Sequence, residues 1–374
     1  MTDNKPFFSI GVTSYKRIDL LRQCIRSILS QTYSDFEVLV GNDDPSTIIT
    51  HGMLGITDER IKIHNHPKNL GEVGNMNYLL SKAEGEFFTL QADDDLYEPQ
   101  FLEYIFNIIQ SGGNADCVYT KFMIVHGENY PSTHRYPQVQ PSVYEGSSFI
   151  HGYLEGKCRL MPVCGMFRKK LLVDMGGINN PSNAPIGLFG EYILLLSIPL
   201  DAKIGYIDLP LVMYRVQFNR SEANAGGVWN STDLSQYKKA SAELILIGAR
   251  LFAQPPMKKH FMYDMSAIIA LCLPDTFAKW IQEKGRPRLK EIIYFFRGVQ
   301  KSIRKELPEK YCVIVGLLLM RYLIIQFTYT KTPLAGKQHK VLFTLERMAR
   351  AVLRGLLFFI YRPPALFWRE NDTD

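Results

Sequence analysis

The sequence predicts an α/β fold, a mostly parallel sheet with flanking helices, followed by a helical C-terminal region. Three observations predict it. Short apolar runs alternate with amphipathic stretches through the first half of the chain, and polar clusters sit just after those runs. Beyond a tract rich in Gly, Asn and Ser, from Ser221 to Asp233, the strand signals give way to helical periodicity.

The elements follow in order. Phe7–Val12 reads as a buried strand, and Ile18, Leu21, Ile25 and Ile28 then recur at three- and four-residue spacing, which makes one face of a helix. Phe36–Val40 is a second strand and Ile61–His64 a third. Asn75–Ala83 is a helix, and Glu86–Gln91 a fourth strand. In open parallel sheets ligands bind beyond the carboxyl ends of the strands, where the connecting loops converge. Thr13 to Arg17, Asn42-Asp43-Asp44, Pro67 to Gly71 and Asp93-Asp94-Asp95 all lie at such ends, so four loops are expected to face one crevice.

A chain of 374 residues exceeds the usual span of one hydrophobic core, so two units are expected, with the boundary at 225/226. A composition 46% hydrophobic and 21% charged is globular and excludes global disorder. The six cysteines contain no Cys-x-x-Cys pair, which argues against a zinc ribbon or redox pair and fits a reducing compartment. Met1 to Pro6 carries no basic segment followed by an apolar one, so the mature chain is expected to begin in the cytosol.

Asp93-Asp94-Asp95 crowds three carboxylates into one turn, which mutual repulsion disfavours unless a cation neutralises it. Mg²⁺ or Mn²⁺ is typically held by one or two carboxylates while phosphate oxygens complete its shell, so the cluster suits a diphosphate ligand. A solvated acidic turn before Pro99 is the plainer reading. The other loops supply complementary chemistry: Asp43 accepts hydrogen bonds from a base or ribose, Tyr15 packs on a base, and Arg17 or Lys68 meets phosphate charge. Each also has a structural reading, Asp43 and Asp44 as turn initiators and Arg17 as a helix-start residue.

With these residues in view, the sequence resembles the family 2 glycosyltransferases, inverting enzymes of the GT-A fold, from about Phe8 to Ser221. The resemblance is carried by Ser9 to Arg17, Val40-Gly41-Asn42-Asp43-Asp44, Asn69-Leu70-Gly71 through Asn77, Ala92 to Pro99, and Gly190-Glu191-Tyr192-Ile193-Leu194. It implies that Thr13, Tyr15 and Asp43 line a nucleoside pocket and that Asp93 meets the donor ribose. Asp94 then carries the metal with Asp95 beside it, and Asn77 joins the donor site. The implied donor is a UDP- or dTDP-sugar. Gln91, Met76, Gly190 and Gln217 depart from the family pattern, so a catalytically inactive nucleotide- or glycan-binding scaffold is the competing reading. A glycine-rich dinucleotide turn is missing after the first strand, which sets an oxidoreductase aside.

Inverting transfer needs one carboxylate to take the acceptor proton, and Glu191, opening an apolar helical run, is the candidate, with Asp174 in reserve. A first-turn glutamate favoured by the helix dipole is the alternative for Glu191. Tyr214 to Ser221 resembles a segment that closes over the donor, which brings Arg215 or Arg220 toward the diphosphate, with a solvated or salt-bridged arginine as the alternative.

Positive charge concentrates between Lys337 and Arg369. There Arg347, Arg350 and Arg354 edge an apolar face of Val341, Leu345, Met348, Val352 and Leu356. Such a helix suits an anionic membrane surface and points to a peripheral enzyme at the inner face of the cell membrane, with a lipid-linked or polysaccharide acceptor. A core-facing helix is the alternative. The basic residues accompany aliphatic ones and not stacking aromatics, so no nucleic-acid partner is expected.

Overall fold

A computed structural model describes residues 5–126, 136, 142–216 and 232–329. Their contacts divide the chain into two compact units, Met1–Ile150 with Cys158–Gln236, and His151–Lys157 with Tyr237–Asp374. The division falls at Gln236/Tyr237, whereas Arg220, the boundary expected at 225/226 and the amphipathic segment 337–369 lie outside the described residues.

In the first unit, β1 (Phe8–Ser14), α1 (Ile18–Leu29), β2 (Phe36–Asn42), α2 (His51–Leu54), β3 (Ile61–Asn65), α3 (Glu72–Lys82) and β4 (Phe87–Ala92) alternate as expected. They continue into β5 (Leu96–Tyr97), α4 (Phe101–Ile108), β6 (Cys117–His126), β7 (Ser142–Glu145), α5 (Gly146–Leu154), β8 (Met166–Arg168), α6 (Lys169–Asp174), α7 (Gly190–Leu196) and β9 (Lys203–Val216). One mixed sheet runs β3-β2-β1-β4-β8-β6-β9-β5, with β7 paired to β9. β3, β2, β1 and β4 are parallel, so their carboxyl ends share one edge, and the chain order reverses between β1 and β4.

Strands covered on both faces lose the polar alternation of a half-exposed strand, which is why every residue of β2 is buried. On α1 the predicted face is the buried one, with Leu21, Ile25 and Ile28 fully enclosed beside Cys24. Burying an aliphatic side chain of this size contributes about 1.5–3 kcal/mol. Gly41 is fixed by close packing, because a Cβ there would stand 2.0 Å from Asn75 Oδ1. The Asn75 amide instead donates to Gly41 O at 2.8 Å and meets His66 Nε2 at 2.9 Å, so α3 is tied to the sheet edge.

The second unit is built of α8 (Leu234–Phe252, from Tyr237 onward), α9 (Phe261–Lys284), α10 (Leu289–Glu306) and α11 (Glu309–Tyr329). The apolar Tyr311–Tyr329 stretch is a helix that buries Val315, Leu318, Leu319 and Leu323. By length and hydropathy Lys258–Lys284 would reach across a bilayer, but half of that window is buried, as in the core helix of a bundle. His151 Nδ1 meets the enclosed Asp264 at 2.8 Å, a contact that associates His151–Lys157 with this unit, and burial pushes the Asp264 carboxyl up to about 8.

Candidate active site

The crevice at the carboxyl edge is organised around the acidic triplet. β4 ends at Ala92, and Asp93 and Asp94 form the turn into β5. Arg17 enters from the end of β1, where Lys16 adopts a left-handed backbone (φ 61°) that bends the chain into α1. Its guanidinium bridges two carboxylates, pairing with Asp93 and reaching Asp94 Oδ2 at 2.7 Å. Asp93 is fully buried and Asp94 keeps 24% of its side chain exposed. Burial pushes the Asp93 carboxyl up and the Arg17 charge pulls it back.

Arg215, on β9, grips the same turn from the other side. Its backbone N–H donates to Asp95 Oδ1 at 2.9 Å, its Nε to the Asp94 carbonyl, and its Nη1 to Gln23 on α1. Arg215, expected to approach a diphosphate, is therefore buried and pins the triplet backbone. Asp95, expected to share the metal, turns inward instead. It is 1% exposed, and burial followed by the Asp94 charge raises its carboxyl well above the ordinary range.

These positions decide how a divalent ion fits. Asp94 is the one member of the triplet whose carboxylate opens toward solvent, and no group of three His, Cys, Asp or Glu residues suited to a metal occurs among the described residues. The donor set fits an ion anchored by one carboxylate and completed by ligand phosphates, which is the habit of Mg²⁺ and Mn²⁺, and does not fit an all-protein cage.

The side of the crevice expected to hold a nucleoside is formed by β1, β2 and the loop after β3. Asp43 Oδ1 accepts the Leu70 N–H at 2.6 Å, and Asn69 donates to the Asp43 carbonyl at 3.1 Å. Burial raises the Asp43 carboxyl and the Leu70 N–H opposes the rise. Asp44 holds its own turn through Ser46, as the plainer reading of Asp-Asp-Pro-Ser has it. Thr13 and Tyr15 are half-buried at the end of β1, and Lys16 Nζ lies 5.0 Å from the Tyr15 ring centre. Lys68 is exposed two residues before Leu70.

On the opposite rim Glu191 opens α7. Phe189 just before it takes a left-handed backbone (φ 55°), an uncommon conformation for a bulky residue. The Glu191 side chain stays open to solvent, yet the crevice walls enclose it enough to push its carboxyl up to about 7, and the Glu72 charge adds to the rise. Glu72 itself responds to both Arg17 and Asp94, so the two rims lie within electrostatic reach of each other. A Cβ at Gly190 would meet nothing within 4 Å, so the family's missing first acid leaves open space.

Asn77, expected in the donor site, spends its amide elsewhere. It donates to Ile178 O and accepts from Ile178 N, both at 2.8 Å. Asp174, the reserve base, is an exposed partner of Lys170 at 2.7 Å. Glu72 and Gln23 were not legible as site residues, because a first-turn glutamate and a mid-helix glutamine carry no signal of their own.

Residues 9–176 match the family model "Glycosyl transferase family 2". This chain carries a family 2 glycosyltransferase domain. It is 25% identical over 217 residues to the Escherichia coli UDP-Glc:alpha-D-GlcNAc-diphosphoundecaprenol beta-1,3-glucosyltransferase WfgD, covering 58% of this chain and 79% of that one. An uncharacterized glycosyltransferase of Haemophilus influenzae is 30% identical over 118 residues, 31% of this chain and 36% of that one, so the match spans about a third of that relative. Staphylococcus aureus TarS 1-349, solved with UDP-GlcNAc, superposes with a TM-score of 0.57 at 16% identity, covering 95% of this chain and 93% of that one. That likeness shows the GT-A fold, a mostly parallel sheet with flanking helices and a helical C-terminal region.

Proposed function

We propose that this family 2 domain transfers a sugar from a nucleotide-sugar donor to an acceptor hydroxyl with inversion at the anomeric carbon. One observation carries the reading: Glu191 opens α7 on the rim across from an acidic triplet in which Arg17 pairs with Asp93 and Asp94, and its raised carboxyl suits it to take up a proton. In the proposed step the acceptor oxygen bonds to the anomeric carbon and its proton passes to Glu191. The bond from that carbon to the diphosphate oxygen breaks, and the nucleoside diphosphate leaves with the electron pair.

Chain residues account for the remaining tasks. Asp43, backed by Leu70, and the half-buried Thr13 and Tyr15 would hold base and ribose. Arg17, paired with Asp93 and Asp94, would offset diphosphate charge. A divalent ion on Asp94 would supply Lewis-acid relief of charge on the leaving diphosphate.

The name of the WfgD relative supports a UDP-sugar donor and a lipid-linked diphosphate acceptor for this chain too, and hence action at the inner face of the cell membrane. Segment 337–369 would then provide the peripheral attachment to anionic lipid. The test is nucleotide release from a panel of UDP- and dTDP-sugars with Mn²⁺ or Mg²⁺, repeated in Asp94→Ala and Glu191→Gln. Metal-dependent release that disappears in both variants is expected. Binding of nucleotide without turnover in the wild type, over the full panel and with membrane lipid acceptors, would favour the inactive scaffold instead.

A further inference from the structure

Helix α3 lies beside the crevice and is tied to the loop that precedes Glu191 at two points. Near its middle, Asn77 makes the paired amide bonds to Ile178. At its start, Glu72 makes two more: its N–H donates to Pro185 O at 3.0 Å, and its carboxylate Oε2 accepts the Gly187 N–H at 2.7 Å. Gly187 in turn accepts the Gly190 N–H at 2.8 Å, and Glu191 follows directly. A short relay of hydrogen bonds thus runs from one carboxylate to the residue that launches the other.

The packing around this relay leaves little slack. Gly71 has φ 74°, and a Cβ there would stand 3.2 Å from Pro185 O, while a Cβ on Gly187 would stand 2.9 Å from Val73 Cγ2. Two glycines are needed for α3 and the loop to approach this closely.

We infer that Glu72 is a positioning residue for Glu191, fixing through Pro185 and Gly187 the turn from which the base projects. The inference rests on the reading of Glu191 as base. Charge supports the geometry: Glu72 makes no ion pair among the described residues, and its carboxylate is the neighbouring charge that helps raise Glu191. A first-turn acid that merely favoured the helix dipole would stabilise α3 and leave Glu191 untouched. The two roles are therefore separable.

Glu72→Gln keeps an oxygen to accept the Gly187 N–H and removes the charge, whereas Glu72→Ala removes both. The Glu191 titration is followed by carboxyl ¹³C NMR on the full chain labelled at glutamate, with the signal assigned by its absence in Glu191→Gln. In Glu72→Gln the Glu191 midpoint is expected to fall by about half a unit or more. In Glu72→Ala kcat is expected to fall about tenfold while the donor KM moves less than about threefold. An unmoved Glu191 midpoint in Glu72→Gln, or a kcat in Glu72→Ala equal to that of Glu72→Gln, overturns the inference. If Glu72→Ala fails to fold, the midpoint in Glu72→Gln decides alone. The base reading fails separately, by full turnover in Glu191→Gln, and the NMR midpoint is measurable whichever way that experiment goes.

Discussion

The two rims of the crevice use the same side-chain chemistry in opposite surroundings. On the donor rim three consecutive carboxylates are crowded together, yet Arg17 pairs with Asp93 and Asp94, and Arg215 holds the Asp95 carboxylate and the Asp94 carbonyl. On the acceptor rim Glu72 and Glu191 make no ion pair among the described residues, and enclosure raises both carboxyls. Where a guanidinium pairs with a carboxylate, as Arg17 does with Asp93, it balances that charge and draws the carboxyl back against the rise that burial imposes. A carboxylate left unmatched in a partly enclosed place lies near neutrality, where it can take up and release a proton at working pH. On the proposed function, the rim whose carboxylates pair with arginine serves the leaving group and the rim whose carboxylates stand without an ion pair among the described residues serves proton transfer.

The contrast can be broken most directly on the acceptor rim. Glu191→Gln is expected to lower kcat by about 10²–10⁴ while changing the donor KM by less than about threefold, measured as nucleotide release under saturating donor. Survival of kcat would mean that proton transfer is not the business of that rim. On the donor rim Arg17→Met strands a buried carboxylate, and a loss of about 3 kcal/mol in urea unfolding is expected, the low end for a broken buried pair because Arg17 itself is 23% exposed. Combining it with Asp93→Asn should recover most of that loss, and a double variant as unstable as the single one would remove the charge argument.

A smaller effect follows from pH. Glu191 must be ionised to accept a proton, and its carboxyl stands at about 7, above the ordinary 4.5. Activity is therefore expected to be present above about pH 7 and to fall about tenfold per pH unit below it. An acidic limb at 4.5 in kcat/KM would place Glu191 in ordinary water and erase the difference between the rims.

Much of the frame was legible because parallel strands and their helices have distinct periods. Ile18, Leu21, Ile25 and Ile28 marked the inner face of α1, and each of the first four strands came out within two residues of its expected bounds at either end. The place of the triplet at a strand end was legible because several loops converge on one edge, whereas Glu191 was singled out by its resemblance to a family motif before a helix. What stayed hidden depends on long-range partners. Asp95 looks like Asp94 in sequence, and only the Arg215 N–H, 120 residues away, turns it inward. Asn77 fits the donor motif, but Ile178, 101 residues on, takes its amide. The second-unit membership of His151–Lys157 likewise needs the buried Asp264. Periodicity reports which face is buried, and it carries no record of which distant backbone group a polar side chain will meet.

Asp43 offers the finest test of the contrast, because it belongs to the donor rim and yet its carboxyl is raised by burial without a guanidinium beside it. A carboxyl whose folded value lies above its unfolded value binds more protons folded than unfolded, so its contribution to stability falls as pH rises from the unfolded value through the folded one. Asp43→Asn removes that cost and keeps an oxygen for the Leu70 N–H. Thermal stability at pH 8 is therefore expected to be unchanged or up by less than about 1 kcal/mol, a surface-scale effect. Binding should respond the other way. A base or ribose donor that meets a charged acceptor loses about 1.5 kcal/mol when the acceptor becomes neutral, so the donor KM should rise about tenfold with kcat nearly unchanged. If instead kcat falls and KM holds, Asp43 acts on the transition state, and fixed charge on the donor rim extends from the triplet across to β2.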